Sequence, residues 1–300
     1  MSNALRGRAS MRGFYRRVVC AARLVIVGLL SSVAHERASA DAGVAPSIAL
    51  FYGAQPPVSR LREFDVAVIE PDSGFEPLRH KSARTAWFAY VSVGEVTPQR
   101  SYYAAIPKAW LVGDNAVWGA TVIDQDAADW PAFYVEHVIA PLWKKGYRGF
   151  FLDTLDSYQL VAKTDATRAR QERGLVAVVR AIKARFPRAR LIFNRGFEIL
   201  PQVHSLVSAV AFESLYRGWD QAGQRYTEIA PADREWLLGQ AKTIREQYRL
   251  PVLAIDYCAP ADDACATQTA SRISAAGIVP YVTDGGLQTV GTGPARAMKQ

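Results

Sequence analysis

GYRGFFLDTLDSY, residues 146–158, decides the fold. Its core, Gly149 to Leu152, is an unbroken apolar run of the kind expected of a strand buried on both faces, and it stops abruptly at Asp153. A helix pattern from Trp130 to Lys145 leads into it. A second stretch of helical spacing, Ala166 to Phe186, leads away from it to the next apolar run, RLIFNRG (190–196). Strands that alternate with helices in this way imply a parallel sheet with right-handed crossovers.

The same period continues in both directions. Upstream lie IALFYG (48–53), DVAVIEP (65–71) and WFAYVSVGEV (87–96). A helix is predicted over VSRLREF (58–64), and a polar helical stretch before Ala86. Downstream lie SAVAFESLY (208–216), LPVLAIDYC (250–258) and GIVPYVTDGG (277–286), with helices predicted over Pro231 to Tyr248 and Thr267 to Ala276. An irregular insertion of about residues 97–129 follows the third strand. Eight strands in about 250 residues are the size of a single-domain α/β protein, a (β/α)8 TIM barrel, over residues 41–300. An open doubly wound sheet is the competing reading, but no Gly-x-Gly-x-x-Gly follows the first strand.

The chain has 36 Lys and Arg against 28 Asp and Glu, a net +8 that at first suggests a polyanionic partner. The first 40 residues hold seven arginines and one acid, so the remainder is only +2. Those 40 residues read as a secretory signal: an Arg-rich start, the apolar LVIVGLLSSVA (24–34), and Ala38-Ser39-Ala40 as a small-x-small cleavage site. A retained anchor is the alternative, although the apolar stretch falls short of the ~20 residues that span a bilayer. The expected protein is periplasmic or secreted, without stable membrane insertion after cleavage. Neither aromatic-basic interleaving nor a basic motif in the mature part supports nucleic-acid binding. Half the residues are hydrophobic and 21% charged, which excludes a disordered or collagen-like chain.

Cys20 falls within the signal, leaving Cys258 and Cys265, which are expected to close a local disulfide in an oxidising compartment; two free thiols are the alternative. The histidines His80, His137 and His204 follow no strand and form no metal spacing, so neither metal nor cofactor is expected.

In a barrel of this kind the chemistry gathers at the carboxyl ends of the strands. The candidates there are Tyr52, Glu70, Tyr90 with Gly94 and Glu95 just beyond, Asp153 with Asp156 and Tyr158, Asn194 with Arg195, Glu213 with Tyr216 and Trp219, Asp256 with Tyr257, and Tyr281 with Asp284. Carboxylates and aromatic rings without a histidine are the residue set of a sugar-cleaving enzyme: paired acids perform the chemistry and rings stack on sugars. Asp153 and Glu213 end strongly apolar runs, where an idle charge is costly to bury. Asp156 could equally cap the loop after its strand. Glu95, after Gly94 in a loop, could simply be solvated. Asp65 begins its strand, at the end where a role in stability is expected.

Taken together, IALFYG, DVAVIEP, WFAYVSVGEV, GFFLDTLDSY, VAFESLY and GIVPYVTDGG resemble glycoside hydrolase family 114 and the hydrolase module of the Pel exopolysaccharide-processing protein, in order over most of residues 46–288. The resemblance implies an endo-acting hydrolase of α-1,4-linked galactosamine or N-acetylgalactosamine polymers of biofilm matrices. It assigns Asp153 as nucleophile and Glu213 as general acid/base of a retaining mechanism, with Tyr52, Glu70, Tyr90, Asn194, Asp256, Tyr257 and Tyr281 lining the sugar subsites. The Pel module is normally fused to a deacetylase, whereas this sequence ends soon after its eighth strand, which leaves room for a separate deacetylase partner; a monomer is expected. A non-catalytic barrel that binds exopolysaccharide during assembly or export is the alternative reading.

Overall fold

The computed structural model describes residues 45–294. The expected signal segment and Cys20 lie outside the described residues. Eight strands form one parallel sheet in chain order: β1 (Ile48–Phe51), β2 (Val66–Ile69), β3 (Ala86–Ser92), β4 (Gly149–Asp153), β5 (Arg190–Asn194), β6 (Ala209–Glu213), β7 (Val252–Tyr257) and β8 (Val279–Thr283). Each pairs with its sequence neighbour, which curls the sheet into a nearly closed TIM barrel. Among the described residues no ladder joins β8 to β1. The seam is instead held by Tyr281 Oη donating to the Leu50 carbonyl (2.8 Å) and by Tyr52 N donating to the Leu287 carbonyl (2.7 Å).

The apolar runs are strands because both of their faces are buried. Phe88, Phe150, Phe151, Phe193 and Phe212 are all 1% exposed or less. Gly149 opens β4 against the ring of Phe88, and a Cβ there would lie 2.3 Å from ring carbons, so only glycine lets these two strands pair at this register.

Two helices match their prediction closely, Asp165–Arg185 and Pro231–Gln247, and a third, Asp263–Ala275, begins four residues before the predicted Thr267, where the Asp262 side chain caps it. The first starts at a Thr164/Thr167 capping box and buries Leu175, Val178, Val179 and Ile182. The predicted helix over 130–145 is present but contains a π-helical turn, Val135–Ile139, between Trp130–Tyr134 and Ala140–Lys145. Pro141 explains it, because a proline can neither donate to nor pack under the carbonyl four residues back.

The connections after β1 and β2 depart from expectation. Only one helical turn (Val58–Leu61) follows β1, and two 3-10 turns (Pro71–Ser73 and Pro77–His80) follow β2, where prolines and the left-handed Gly74 break any longer helix. The insertion after β3 is ordered as a small antiparallel sheet of Glu95–Val96, Ala120–Ile123 and Leu111–Asn115. A further hairpin, Arg217–Asp220 with Arg225–Glu228, follows β6, where the sequence predicts no strands. Asp65 behaves as its place at the amino end of β2 implies: its Oδ2 accepts from the amide and hydroxyl of Ser47.

Candidate active site

Asp153, Asn194 and Glu213 are the terminal residues of three consecutive strands, β4, β5 and β6. Each is followed at once by a residue in the left-handed region: Thr154 (φ 60°), Arg195 (φ 58°) and Ser214 (φ 65°). A non-glycine residue there costs roughly 1–2 kcal/mol. The barrel accepts that cost three times because the left-handed turn sends the chain sharply off the strand while leaving the last side chain on the barrel axis. Thr154 is further held by its hydroxyl, which donates to the Asp153 carbonyl (2.7 Å) and accepts from Gly94 N (2.9 Å).

The three side chains form one hydrogen-bonded unit. Asn194 Nδ2 donates to Asp153 Oδ1 (2.7 Å) and to Glu213 Oε1 (2.8 Å), so a single amide nitrogen bridges the two carboxylates. Laid end to end, these bonds allow the two oxygens to be at most about 5.5 Å apart. Tyr90 Oη donates to Asp153 Oδ2 (2.8 Å), and Tyr257 Oη makes a short hydrogen bond to Glu213 Oε2. Tyr52 packs against Tyr90 with ring centroids 4.7 Å apart.

Burial and the facing Glu213 carboxylate push the Asp153 carboxyl up to about 6, against the pull of the hydrogen bonds from Tyr90, the Thr154 amide and Asn194. Burial first, and then the nearby carboxylates, hold the hydroxyls of Tyr52, Tyr90 and Tyr257 well above the usual tyrosine value. At neutral pH these three are therefore hydrogen-bond donors and not phenolates.

Around this unit is a cleft of about 620 Å³. Of the residues expected at the site, Tyr52, Glu70, Tyr90, Asp153, Asp156, Asn194, Glu213 and Tyr257 all line it, as does Trp219. Glu70 is tied to Arg100 from the insertion (2.6 and 3.0 Å), and Asp156 faces Arg195 (3.7 Å).

Five expected residues lie elsewhere, each for a specific reason. Asp256 precedes Tyr257 on β7, and successive strand residues point to opposite faces, so the two cannot share the cleft. Its carboxylate accepts instead from the backbone amides of Leu215, Tyr216 and Arg217, shaping the loop after β6. Tyr281 is fully buried in the β8–β1 seam. Asp284 accepts from the amides of Gly286, Gln288 and Thr289 and from the Thr289 hydroxyl, closing its own loop. Tyr158 turns outward to Glu172 on the following helix (2.9 Å). The Tyr216 ring is covered by the Arg272 guanidinium, 4.1 Å from its centroid.

Glu95, a strand-end candidate that could equally have been solvated, lines the cleft, and so do Arg100, Asn115 and Trp118, which the sequence does not mark as site residues. Arg100, Asn115 and Trp118 come from the insertion, which follows no strand-end rule, and nothing in its mixed sequence singles them out. Glu95 is not solvated but 6% exposed, and it accepts from Asn115 Nδ2 (2.9 Å) and Ser157 Oγ (2.6 Å). Cys258 and Cys265 are joined in a disulfide. Among the described residues, no group of three His, Cys, Asp or Glu side chains is placed to hold a metal, and no helix is long and apolar enough to cross a membrane.

Comparison with known proteins agrees with this geometry. The model of glycoside-hydrolase family GH114 matches residues 32–299. The glycoside hydrolase domain of PelA from Pseudomonas aeruginosa is 37% identical, with 83% of this chain and 98% of that one covered and a TM-score of 0.73. Ega3 from Aspergillus fumigatus, solved in complex with galactosamine, shares the fold at 15% identity, with 82% and 93% covered and a TM-score of 0.60. No curated protein sequence matches the chain.

Proposed function

The chain belongs to glycoside-hydrolase family GH114 and is a glycoside hydrolase, and from that premise we propose that it is an exported, endo-acting, retaining enzyme that cleaves α-1,4-linked galactosamine or N-acetylgalactosamine polymers. The observation that carries the retaining mechanism is the single amide of Asn194 bridging both carboxylates. It keeps their nearest oxygens within about 5.5 Å, whereas inverting enzymes need ~6.5–9.5 Å between the carboxyl groups to admit a water.

In this reading Asp153 attacks the anomeric carbon as the glycosidic bond breaks, and Glu213 gives its proton to the departing oxygen. Glu213 then takes a proton from the water that releases the sugar from Asp153. Burial and the facing Glu213 carboxylate hold the Asp153 carboxyl up at about 6, so near neutral pH it is largely ionised, as a nucleophile must be. Positive charge developing at the anomeric carbon is stabilised by the Asp153 carboxylate beside it. The ring faces of Trp118 and Trp219 in the cleft supply stacking for sugar units. The disulfide supports export, since such bonds persist in oxidising compartments.

The test is incubation of the purified protein with galactosamine-containing exopolysaccharide, with mass spectrometry of the products and NMR of the first-formed anomer. Oligosaccharides with the α-anomer appearing first are expected. A β-anomer product would overturn the retaining assignment, and binding without release of oligosaccharides would leave a non-catalytic barrel. Azide added to Asp153→Gly should yield a β-glycosyl azide, and added to Glu213→Gly an α-glycosyl azide; the reverse pattern would exchange the two roles.

A further inference from the structure

Five carboxylates line the cleft among the described residues: Glu70, Glu95, Asp153, Asp156 and Glu213. Two guanidiniums line it with them, and both are already engaged: Arg100 with Glu70 and Asp72 (2.6 and 2.7 Å), Arg195 with Asp156 (3.7 Å). Asp153 and Glu213 are joined through Asn194. That leaves Glu95, which has no ion-pair partner among the described residues although it is 94% buried.

Its surroundings are built to hold the carboxylate in place without neutralising it. Oε1 takes both donors, Asn115 Nδ2 and Ser157 Oγ, while among the described residues no protein donor reaches Oε2, and the residue lines the cleft. The backbone beneath is equally constrained. Gly94 passes so close to the loop after β4 that a Cβ on it would lie 2.1 Å from the Thr154 carbonyl oxygen, and Ser92 Oγ donates to the Glu95 carbonyl (2.7 Å). A carboxylate held in one orientation, with one oxygen free and no counter-charge beside it, attracts a cation that can donate a hydrogen bond, and such charge-assisted bonds are the strong ones. Beside it in the cleft wall, Trp118 is 58% exposed, a free ring face for a saccharide.

We propose that Glu95, with Asn115, Ser157 and Trp118, forms a subsite beside the catalytic pair that takes the ammonium group of a 2-amino-2-deoxy sugar unit, so that the insertion after β3 sets the preference for deacetylated over acetylated polymer. This rests on the glycosidase reading and adds to it the residue that reads the substrate's charge. The sugar ring lies on Trp118 and its ammonium donates to Glu95 Oε2. An acetamide at that position lacks the charge and adds bulk at a wall already filled by Asn115 and Ser157.

The test measures kcat/KM for α-1,4-linked galactosamine oligomers and for the same oligomers fully N-acetylated, in the wild-type protein and in Glu95→Gln. The substitution keeps Oε1 for Asn115 and Ser157 and removes only the charge. The ratio of the two kcat/KM values is expected to fall by roughly 10–100-fold in the variant, mainly through KM for the galactosamine oligomer. Because both substrates report on the same active molecules, partial misfolding cancels from the ratio. Trp118→Ala should weaken both oligomers alike, since stacking does not read charge. An unchanged ratio in Glu95→Gln, with the wild type active, overturns the subsite and leaves the glycosidase reading standing. Cleavage of neither oligomer by the wild type overturns both.

Discussion

Asp153→Asn should make the protein inactive and also more stable, by an amount that depends on pH in a defined direction. The Asp153 carboxyl is raised from 3.8 to about 6 by burial and by the charge on Glu213. A raised acid gains its proton more readily in the folded state, so its contribution to stability is present below about pH 4 and is lost as the pH rises through about 6. Each unit is worth about 1.4 kcal/mol, so the ionised carboxylate costs the folded state at most about 3 kcal/mol at pH 7.5 and about 1 kcal/mol at pH 4.5. Asparagine never ionises, and its hydrogen bonds can be satisfied in place: Oδ1 accepts from Asn194 while Nδ2 donates to the Tyr90 hydroxyl, which is able to accept. The variant should therefore exceed the wild type by about 3 kcal/mol at pH 7.5, a rise in Tm of roughly 6–12 °C for a chain of this size, with the gain shrinking about threefold at pH 4.5. Urea titrations followed by circular dichroism at the two pH values measure the difference directly, and taking the difference cancels the other titrating groups. An equal gain at both pH values, or a variant less stable at pH 7.5, would refute the claim that like-charge crowding in the site is a cost the fold carries for function.

Asn194→Ala withdraws a donor from both carboxylates and should move the acid limb of the kcat/KM profile upward by as much as about one pH unit, with activity reduced at every pH; an unmoved limb would show that the amide does not set the pair's ionisation. Tyr257→Phe removes the hydroxyl bonded to Glu213 and should reduce kcat/KM by roughly 10–100-fold with little change in Tm, read from initial rates and a thermal melt. Replacing Cys258 and Cys265 together by serine opens a loop of seven-residue separation and should lower stability by about 2–3 kcal/mol in a urea titration, equal to the effect of reductant on the wild type.

The barrel was legible because its strands answer to one physical demand. A run such as Phe150-Phe151-Leu152 has nowhere to go but between two buried layers, and eight such runs at helix-length spacing leave few topologies. The connections were less legible because nothing forces them to be helical. Pro71, Gly74 and Pro77 turn the predicted helix after β2 into two short turns, and the hairpin after β6 has only Gly223 and a weak alternation around Trp219 and Tyr226 to announce it. Short polar segments of this kind take their shape from what they pack on, and Trp219 and Tyr226 pack on each other with centroids 4.8 Å apart.

At the site, position along the chain identified candidates but could not say whom each polar group would serve. Asp153 and Asp256 are alike as sequence, each a carboxylate at the end of an apolar run. They differ in parity and in competition. Asp153 is the last residue of β4 and faces the axis; Asp256 sits one residue before the end of β7 with three backbone amides, Leu215, Tyr216 and Arg217, within reach. A buried carboxylate goes to the donors it finds, and those amides belong to a loop 40 residues away in sequence. Even so, Asp256 is not idle: the loop it gathers begins directly after Glu213 and its left-handed neighbour Ser214, so its hydrogen bonds help hold the carboxylate proposed as acid/base. The reverse holds for Glu95. In sequence it is a strand-end carboxylate after a glycine that could as well be solvated, and only the folded insertion, which brings Asn115 to one of its oxygens and no cation to the other, shows which way it serves.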